Sequence, residues 1–212
     1  MTSPLPVDAG VRRQRSSILL VIAAAFPAFA ALWLGVFYLV PPPSGMEEPL
    51  ARLMVALQCC CFAVLFCFVT GIEAVAHERL HSPGIDPLAP YESLRMTVNL
   101  RYLQHTLEQL VVFVPGVFGL AFYASNGRSM RVVLAVTAVW IASRGAFWIG
   151  YHHGSLYRAA GAPGMMQSML VLLYVCSRFG YDIDGIAGAI APIAIFAAID
   201  VYLFLATRRA PA

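Results

Sequence analysis

Long apolar runs alternate along the chain with short segments rich in arginine, proline or glycine. A hydrocarbon core of about 30 Å is crossed by about 20 helical residues, and most of these runs reach that length. The polar segment at 78–93 is the longest connection, and its prolines disfavour regular structure. We therefore predict an all-α integral membrane protein with six transmembrane helices, at about residues 18–40, 53–77, 94–125, 131–153, 163–178 and 186–206.

The composition supports a membrane protein. Hydrophobic residues make up 60% of the chain and charged residues only 12%, against about 25% charged residues in soluble domains. The net charge of +3 is too small, and its arginines are too scattered, to indicate a nucleic-acid partner. The cysteines lie within apolar runs at spacings that fit neither a zinc cage nor a disulfide framework, so we expect them to pack as small hydrophobic residues.

Arginines flank the predicted spans unevenly. Most of them lie on the side of the membrane that carries residues 1–17 and the segments at 78–101 and 154–162. By the positive-inside rule, residues 1–17 form a cytoplasmic tail and both termini are cytoplasmic. The first apolar run is too long for the core of a signal peptide, and no clear cleavage site follows it, so we expect it to be retained as a span.

A stripe of polar residues opens the third predicted helix. Thr97, Arg101, His105 and Glu108 are spaced by four, four and three residues, which places them on one helical face. Polar groups entering a bilayer are expensive and face a bundle interior or a water-filled pocket. The stripe therefore predicts a site for a charged ligand at the membrane surface. The alternative is that it anchors the helix at the interface and forms hydrogen bonds between helices.

A second set of polar residues follows in the fourth helix and the turn after it. Arg144 lies well inside the helix, Tyr151 lies two turns later, and Arg158 lies in the next turn. An unpaired arginine at that depth is costly, so we predict that Arg144 pairs with Glu108. Tyr151 and Arg158 are candidates to stabilise a thiolate, because a nearby cation lowers the pKa of a thiol. The alternative is that an Arg144–Glu108 pair only fixes helix packing.

Both sets resemble motifs of the MAPEG family, the membrane-associated proteins in eicosanoid and glutathione metabolism. The segment Arg-Tyr-Leu-Gln-His-Thr-Leu-Glu-Gln at 101–109 is similar to the family's second-helix motif, which reads Arg, then Asn, then Glu. The segment Arg144-Gly-Ala-Phe-Trp-Ile-Gly-Tyr151, with Arg158 seven residues later, resembles the family's third-helix Arg and Tyr and the Arg that opens its fourth helix. The resemblance covers about residues 53–179.

The resemblance implies a four-helix core at 53–179, with an extra N-terminal helix at 18–40 and an extra C-terminal helix at 186–206. It implies a homotrimer in the bacterial cytoplasmic membrane that holds glutathione, as a co-substrate and without a metal, between subunits near the cytoplasmic face. The implied catalytic residue is Arg158, which would stabilise the thiolate. The implied glutathione-binding residues are Arg101, His105, Glu108, Arg144 and Tyr151.

These features lead to two principal functional hypotheses. The first is a glutathione-dependent transferase or peroxidase acting on a lipophilic electrophile that arrives from the bilayer. The second is a lipid-binding protein, or an accessory subunit of a larger membrane complex, that kept the bundle without the chemistry. His105, where the family has Asn, and Phe147, where family enzymes often have Tyr or His, favour the second hypothesis.

A third hypothesis, a metalloprotease, comes from the segment His77-Glu78-Arg79-Leu80-His81. It spells the zinc-protease pattern, in which two histidines lie one turn apart on a helix and the glutamate acts as base. Pro83 and Gly84 follow almost at once, so we expect the helix to end at the motif. A polar helix end is therefore the favoured interpretation, and we predict no metal site.

The remaining polar residues carry weaker hypotheses. His152 and His153 fit a helix end at the interface, with a role in proton transfer as the alternative. Asp182 and Asp184 form an acidic turn on the opposite membrane face, a weak candidate for a cation site. Asp200, inside the last helix, should find a polar partner or face a subunit interface.

Overall fold

A computed structural model describes residues 9–86, 88 and 92–209, with side chains at 14–86, 88 and 92–207. The described chain consists of helices and the turns that join them, which confirms the predicted all-α class. Residues 1–8 of the predicted tail, and part of the long connection, lie outside the described residues. The helices are α1 (Ala9–Leu39), α2 (Pro49–Ala63), α3 (Thr70–Leu80), α4 (Leu94–Tyr123), α5 (Gly127–His153) and α6 (Ala162–Arg209).

Five helical segments in the described chain are long and apolar enough to cross a membrane. They are Gln14–Leu39, Pro49–Leu80, Leu94–Tyr123, Gly127–His153 and Tyr157–Thr207. The second segment joins α2 to α3 through a π-helical turn at Val64–Val69. The fifth segment contains both of the last two predicted helices, which follow one another within α6 on either side of a kink at Asp184 and Gly185. These lengths and compositions are those of an integral membrane protein.

The fifth segment is broken within α6. Asp184 and Gly185 leave the helical region, and Gly185 takes a φ of +54°, which favours glycine. The backbones at Gly180 and Gly188 come so close that a Cβ added to either would lie 2.0 Å from the other's carbonyl oxygen. The axis therefore bends sharply at 184–185. Beyond this bend, none of the described side chains of α6 is buried.

The core lies where α2, α4 and α5 meet. Phe113 of α4 stacks on Trp140 of α5, with ring centroids 4.6 Å apart. Cys59, Cys60 and Cys67 are buried in this region as expected for small hydrophobic residues. The other two cysteines, Cys61 and Cys176, are exposed on the isolated chain. Around the core, α1 packs against α5, and α6 packs against α4 and α5.

Side-chain caps fix where two of the central helices begin. Ser93 accepts a hydrogen bond from the Met96 amide (3.0 Å) at the start of α4. Asn126 and Ser129 form a reciprocal capping box at the start of α5, with 3.0 Å from the Ser129 amide to Asn126 Oδ1. Such caps satisfy amides that have no partner within the helix. α5 therefore begins before the predicted residue 131.

Candidate functional site

The polar stripe of α4 does not face the interior of the chain. Arg101 and Glu108 are exposed and His105 is half-buried. The buried face of α4 carries Asn99 and Thr106. These uncharged groups satisfy their hydrogen bonds within the bundle, whereas a guanidinium and a carboxylate in the same place would need paired charges. On the single chain the stripe therefore does not turn into the bundle interior, and its place in a water-filled pocket or between subunits stays a prediction.

The Glu108 carboxylate is held by its own helix. Gln104 Nε2 donates to Glu108 Oε1 (3.1 Å), and His105 Nδ1 lies 3.1 Å from Glu108 Oε2. Both contacts join residues three or four positions apart, which are neighbours on a helix. Glu108 therefore points along the outside of α4.

Arg144 is buried beneath the outer surface of the bundle. Its Nη2 donates to Thr106 Oγ1 (3.1 Å), and the Thr106 hydroxyl donates to the Tyr102 carbonyl (2.7 Å). The guanidinium also lies 4.3 Å from the centroid of the Phe147 ring, within cation–π range. The predicted Arg144–Glu108 ion pair is therefore wrong for this chain, because a hydroxyl and an aromatic ring on the buried side take the guanidinium.

Four residues that the sequence analysis named form a continuous outer surface: His105, Phe147, Tyr151 and Arg158. The ring centroids of His105 and Phe147 are 5.8 Å apart, and those of Phe147 and Tyr151 are 5.7 Å apart. The Arg158 guanidinium lies 5.5 Å from the centroid of the Tyr151 ring. With Glu108, which contacts His105, these residues make up what we call the α4–α5 surface. Arg144 lies directly beneath its Phe147.

The α4–α5 surface is suited to a ligand with carboxylate groups. Arg158 contributes one positive charge and Glu108 one negative charge, and the exposed Arg101 lies one turn before His105 on the same helix. An arginine can bind a carboxylate through two parallel hydrogen bonds, and a glutamate can bind an amine. The surface is open on the isolated chain rather than enclosed as a cleft.

A separate polar cavity of about 660 Å³ lies where the end of α3 meets the start of α4 and the end of α5. It brings His152 of α5 together with His77 and His81, which the sequence had already paired in the zinc-protease pattern. Their shared cavity follows from the packing of both α3 and α5 against α4. The cavity is lined by Thr70, Glu73, Ala74, His77, Glu78, His81, Arg95, Asn99, Trp148 and His152.

Asn99 is the residue of this cavity that sequence reasoning missed. It is 2% exposed. Its Oδ1 accepts hydrogen bonds from Trp148 Nε1 (3.0 Å) and from His152 Nε2 (3.0 Å). The available signal was a polar side chain on an otherwise apolar helical face, since Asn99 lies three residues before Tyr102, which is buried.

The zinc-protease pattern does not adopt its protease geometry. α3 ends at Leu80, and His81 is its C-cap with φ −115° and ψ 17°. The two histidines therefore do not both lie within a helix, as the sequence predicted from Pro83 and Gly84. His81 Nδ1 instead contacts the His77 carbonyl oxygen at 2.8 Å.

An apolar groove of about 620 Å³ lies between α1 and the faces of α4, α5 and α6. Phe26, Phe29 and Trp33 line it from α1, and Met166 and Leu170 line it from α6. The groove can accommodate a hydrocarbon chain.

Two acidic residues of α6 have different surroundings. Asp182 accepts a hydrogen bond from the Tyr123 hydroxyl, which ties the bend of α6 to the end of α4. Asp200 is exposed and has no ion pair or hydrogen bond to the described part of the chain. Its predicted polar partner is therefore not found in the part of the chain that the structure describes, and the predicted subunit interface stays a prediction.

A scan against protein-family models finds no match to the sequence, and neither the curated proteins nor the solved structures give a significant match.

Proposed function

We propose that the protein binds glutathione on the α4–α5 surface and uses its thiol to attack a lipophilic electrophile. The observation that carries the proposal is the contact of the Arg158 guanidinium with Tyr151, which continues through Phe147 to His105. This contact unites the two segments that resemble MAPEG motifs, although they lie on different helices. The sequence resemblance supplies the identity of the ligand.

The proposed binding mode follows from the charges of the surface. Arg101 binds a carboxylate of glutathione, Glu108 binds its ammonium group, and His105 and Tyr151 donate hydrogen bonds to the peptide. Arg144, enclosed by Thr106 and Phe147, supports the surface from beneath. This role is indirect, whereas the resemblance implied direct binding.

Arg158 is the proposed catalytic residue. Its guanidinium stabilises the thiolate, so the thiol releases its proton to water at neutral pH. The sulfur then forms a bond to the electrophilic carbon, and the displaced leaving group departs with the bonding electron pair. A lipophilic acceptor reaches the sulfur from the bilayer, in which it concentrates.

We also propose an assembly that accounts for the open surface. The core consists of α2–α3, α4, α5 and the first half of α6, and three copies form a homotrimer that covers the α4–α5 surface. α6 crosses the membrane twice, because its 48 residues would extend about 72 Å as one straight helix, far beyond an apolar core of about 30 Å. The protein lies in the bacterial cytoplasmic membrane, with both termini and the site on the cytoplasmic side.

Calorimetry with glutathione on the detergent-purified protein tests the proposal. We expect saturable binding below millimolar glutathione. Arg158→Ala should lower turnover of a model electrophile at least tenfold while changing glutathione affinity less, because its contribution is largest when the sulfur is charged. Arg128→Ala is the matched control, since Arg128 is an exposed arginine at the opposite end of α5. Absence of binding at millimolar glutathione, or equal effects of the two substitutions, would contradict the proposal.

A second function is supported by the apolar groove between α1 and α6. α1 lies outside the segment that resembles the MAPEG core, and its Phe26, Phe29 and Trp33 supply one wall. A non-catalytic protein would use such a groove to hold a membrane lipid. Retention of a bound lipid by mass spectrometry, reduced by Phe29→Ala and combined with no response to glutathione, would favour this function over the enzyme.

A further inference from the structure

We propose that the second half of α6, at residues 186–207, docks on the α4–α5 surface of a neighbouring copy of the chain, where its Asp200 pairs with His105. The inference rests on the proposed association of copies and names the element that covers the surface. It does not require glutathione to be bound. Both the helix and the surface are uncovered on the isolated chain.

Asp200 needs a partner from outside its own chain. It lies within the apolar membrane-spanning segment Tyr157–Thr207. Its side chain is exposed and forms no hydrogen bond or ion pair with the described part of the chain. Ionisable side chains within a span are rare, and they face a protein interior or a water-filled cavity beside a partner group. A helix surrounded only by lipid would leave this carboxylate without a partner.

The chain reverses direction at the bend of α6. Residues eight apart along a straight α-helix are separated by about 12 Å. The backbones at Gly180 and Gly188 instead come so close that neither position has room for a Cβ. The second half of α6 therefore runs back across the membrane from the bend.

This reversal places Asp200 at the depth of the α4–α5 surface. The Tyr123 hydroxyl donates to Asp182, which puts the end of α4 level with the bend. Glu108 lies 15 residues before Tyr123 and Asp200 lies 15 residues after the bend at 185, so each is about 22 Å from this level. His105 lies one turn beyond Glu108, within reach of an aspartate on a facing helix.

The charges of the helix and of the surface are complementary. Arg158 and the adjoining Arg101 contribute two positive charges and Glu108 contributes one negative charge, so the surface has a net charge of +1 with a neutral His105. Asp200 is the one charged residue in the sequence at 186–207. Docking of this helix therefore balances the charge of the surface.

His105 has a ring nitrogen available for the pair. An ionised carboxylate can only accept, so His105 Nδ1 donates to Glu108 Oε2 at 3.1 Å. A protonated imidazole donates from both nitrogens, so Nε2 donates to Asp200 of the neighbouring copy. The His105 side chain is 40% exposed, which leaves it accessible. Because the pair occupies Nε2, Tyr151 remains as the donor to the peptide of glutathione.

The contact also explains how copies could form a closed assembly. Each copy gives one helix and receives one helix through a different surface, so the interface is heterologous. A rotation that closes after three copies gives the proposed homotrimer and leaves no helix or surface unpaired. The docked helices then separate the polar groups of the surface from lipid.

Cross-linking between two differently tagged chains tests the contact. In a background in which the exposed cysteines Cys61 and Cys176 are replaced by alanine, one chain carries His105→Cys and the co-expressed chain carries Asp200→Cys. A short thiol-specific cross-linker should give a product with both tags at least ten times more often than with Ala198→Cys in place of Asp200→Cys. Ala198 is the matched control, because two residues along a helix reverse the direction of the side chain.

Substitutions test the contribution of the pair to association. Asp200→Asn keeps the size of an exposed side chain and removes its charge, so it should weaken self-association in detergent at least tenfold by analytical ultracentrifugation. His105→Asn should have a similar effect, and the double variant should lose no more than either alone, since both remove one interaction. Tyr202→Phe, on the opposite face of the same helix, is the control and should associate as the parent protein does.

Four results would overturn the inference. They are equal cross-linking from positions 198 and 200, a product that forms only within one chain, additive losses in the double variant, and capture of a different protein by Asp200→Cys. All these measurements are made without glutathione. Absence of glutathione binding would therefore contradict the proposed function alone, whereas glutathione binding without the two-tag product would contradict only this inference.

Discussion

Replacement of Thr106 by valine removes the hydroxyl that accepts a hydrogen bond from Arg144. Thr106 is 0% exposed and Arg144 is 4% exposed, so water cannot replace the lost partner. Valine keeps the shape of threonine, so the change leaves packing nearly intact. The variant isolates the effect of an unsatisfied charged donor.

The magnitude follows from the hydrogen bonds on either side of the hydroxyl. A hydrogen bond to a charged group is worth about 1.5–3 kcal/mol, and leaving the donor unpaired has a cost of the same order. Arg144 Nε is already buried without a hydrogen-bond partner among the described residues, so a hydrogen bond from that nitrogen does not compensate for the loss. We therefore expect Thr106→Val to lower the free energy of unfolding by about 2 kcal/mol.

Thr137→Val provides the matched control. Thr137 is a buried threonine on α5 whose hydroxyl donates to the Val133 carbonyl (2.8 Å), just as Thr106 donates to the Tyr102 carbonyl. Its other polar neighbour is the thiol of Cys59, which is a weak hydrogen-bonding group. This control should lose less than about 1 kcal/mol, because no charged group depends on it.

Thermal unfolding in detergent, followed by tryptophan fluorescence, measures the difference. A chain of this size shifts by about 2–4 °C for each kcal/mol, so Thr106→Val should melt several degrees below Thr137→Val. In an Arg144→Met background the two threonine substitutions should become equivalent, since the charge is gone. Equal melting temperatures of Thr106→Val and Thr137→Val in the wild-type background would refute the reasoning. So would a difference between them that is unchanged in the Arg144→Met background.

Two further predictions concern helix packing and helix ends. Gly119→Ala should destabilise the protein, because its Cβ would lie 2.2 Å from Val175 Cγ1, and Val175→Ala in the same chain should restore much of the loss in a melting experiment. Gly145→Ala is the control, because no atom lies within 4 Å of the new Cβ. A melting temperature of Gly145→Ala below that of the parent protein would contradict the steric explanation. Asn126→Ala should cost about 1 kcal/mol through loss of the α5 cap. Amide hydrogens in the first turn of α5 should exchange faster in Asn126→Ala than in the control variant Ser125→Ala. Equal exchange rates in the two variants would count against the capping role of Asn126.

The sequence determined the class of this protein. Apolar runs of more than 20 residues with few charges can satisfy their backbone only as helices in a bilayer. The helix break near Gly185 was also readable, because glycine beside two aspartates interrupts an otherwise apolar pattern. The positions of Pro83 and Gly84 likewise predicted the end of α3.

The direction of the α4 stripe could not be read from spacing alone. Four-residue spacing shows that Arg101 and His105 share a face, but it does not show which face meets α5. That choice depended on Asn99 and Thr106, whose small polar groups bond to Trp148 and Arg144 across the helix contact. A partner 38 or 49 residues away leaves no trace in local periodicity.

The polar cavity likewise combines residues that the sequence pointed to with an arrangement that only the tertiary structure set. The sequence paired His77 with His81 in the zinc-protease pattern and His152 with His153, each pair with a local explanation at a helix end. Only the packing of α3 and α5 against α4 placed them around one space with Asn99. The residue pattern and the bilayer therefore determine the helices and the polar residues that each helix carries. The partners of each polar group are set by contacts between helices that are distant in the chain.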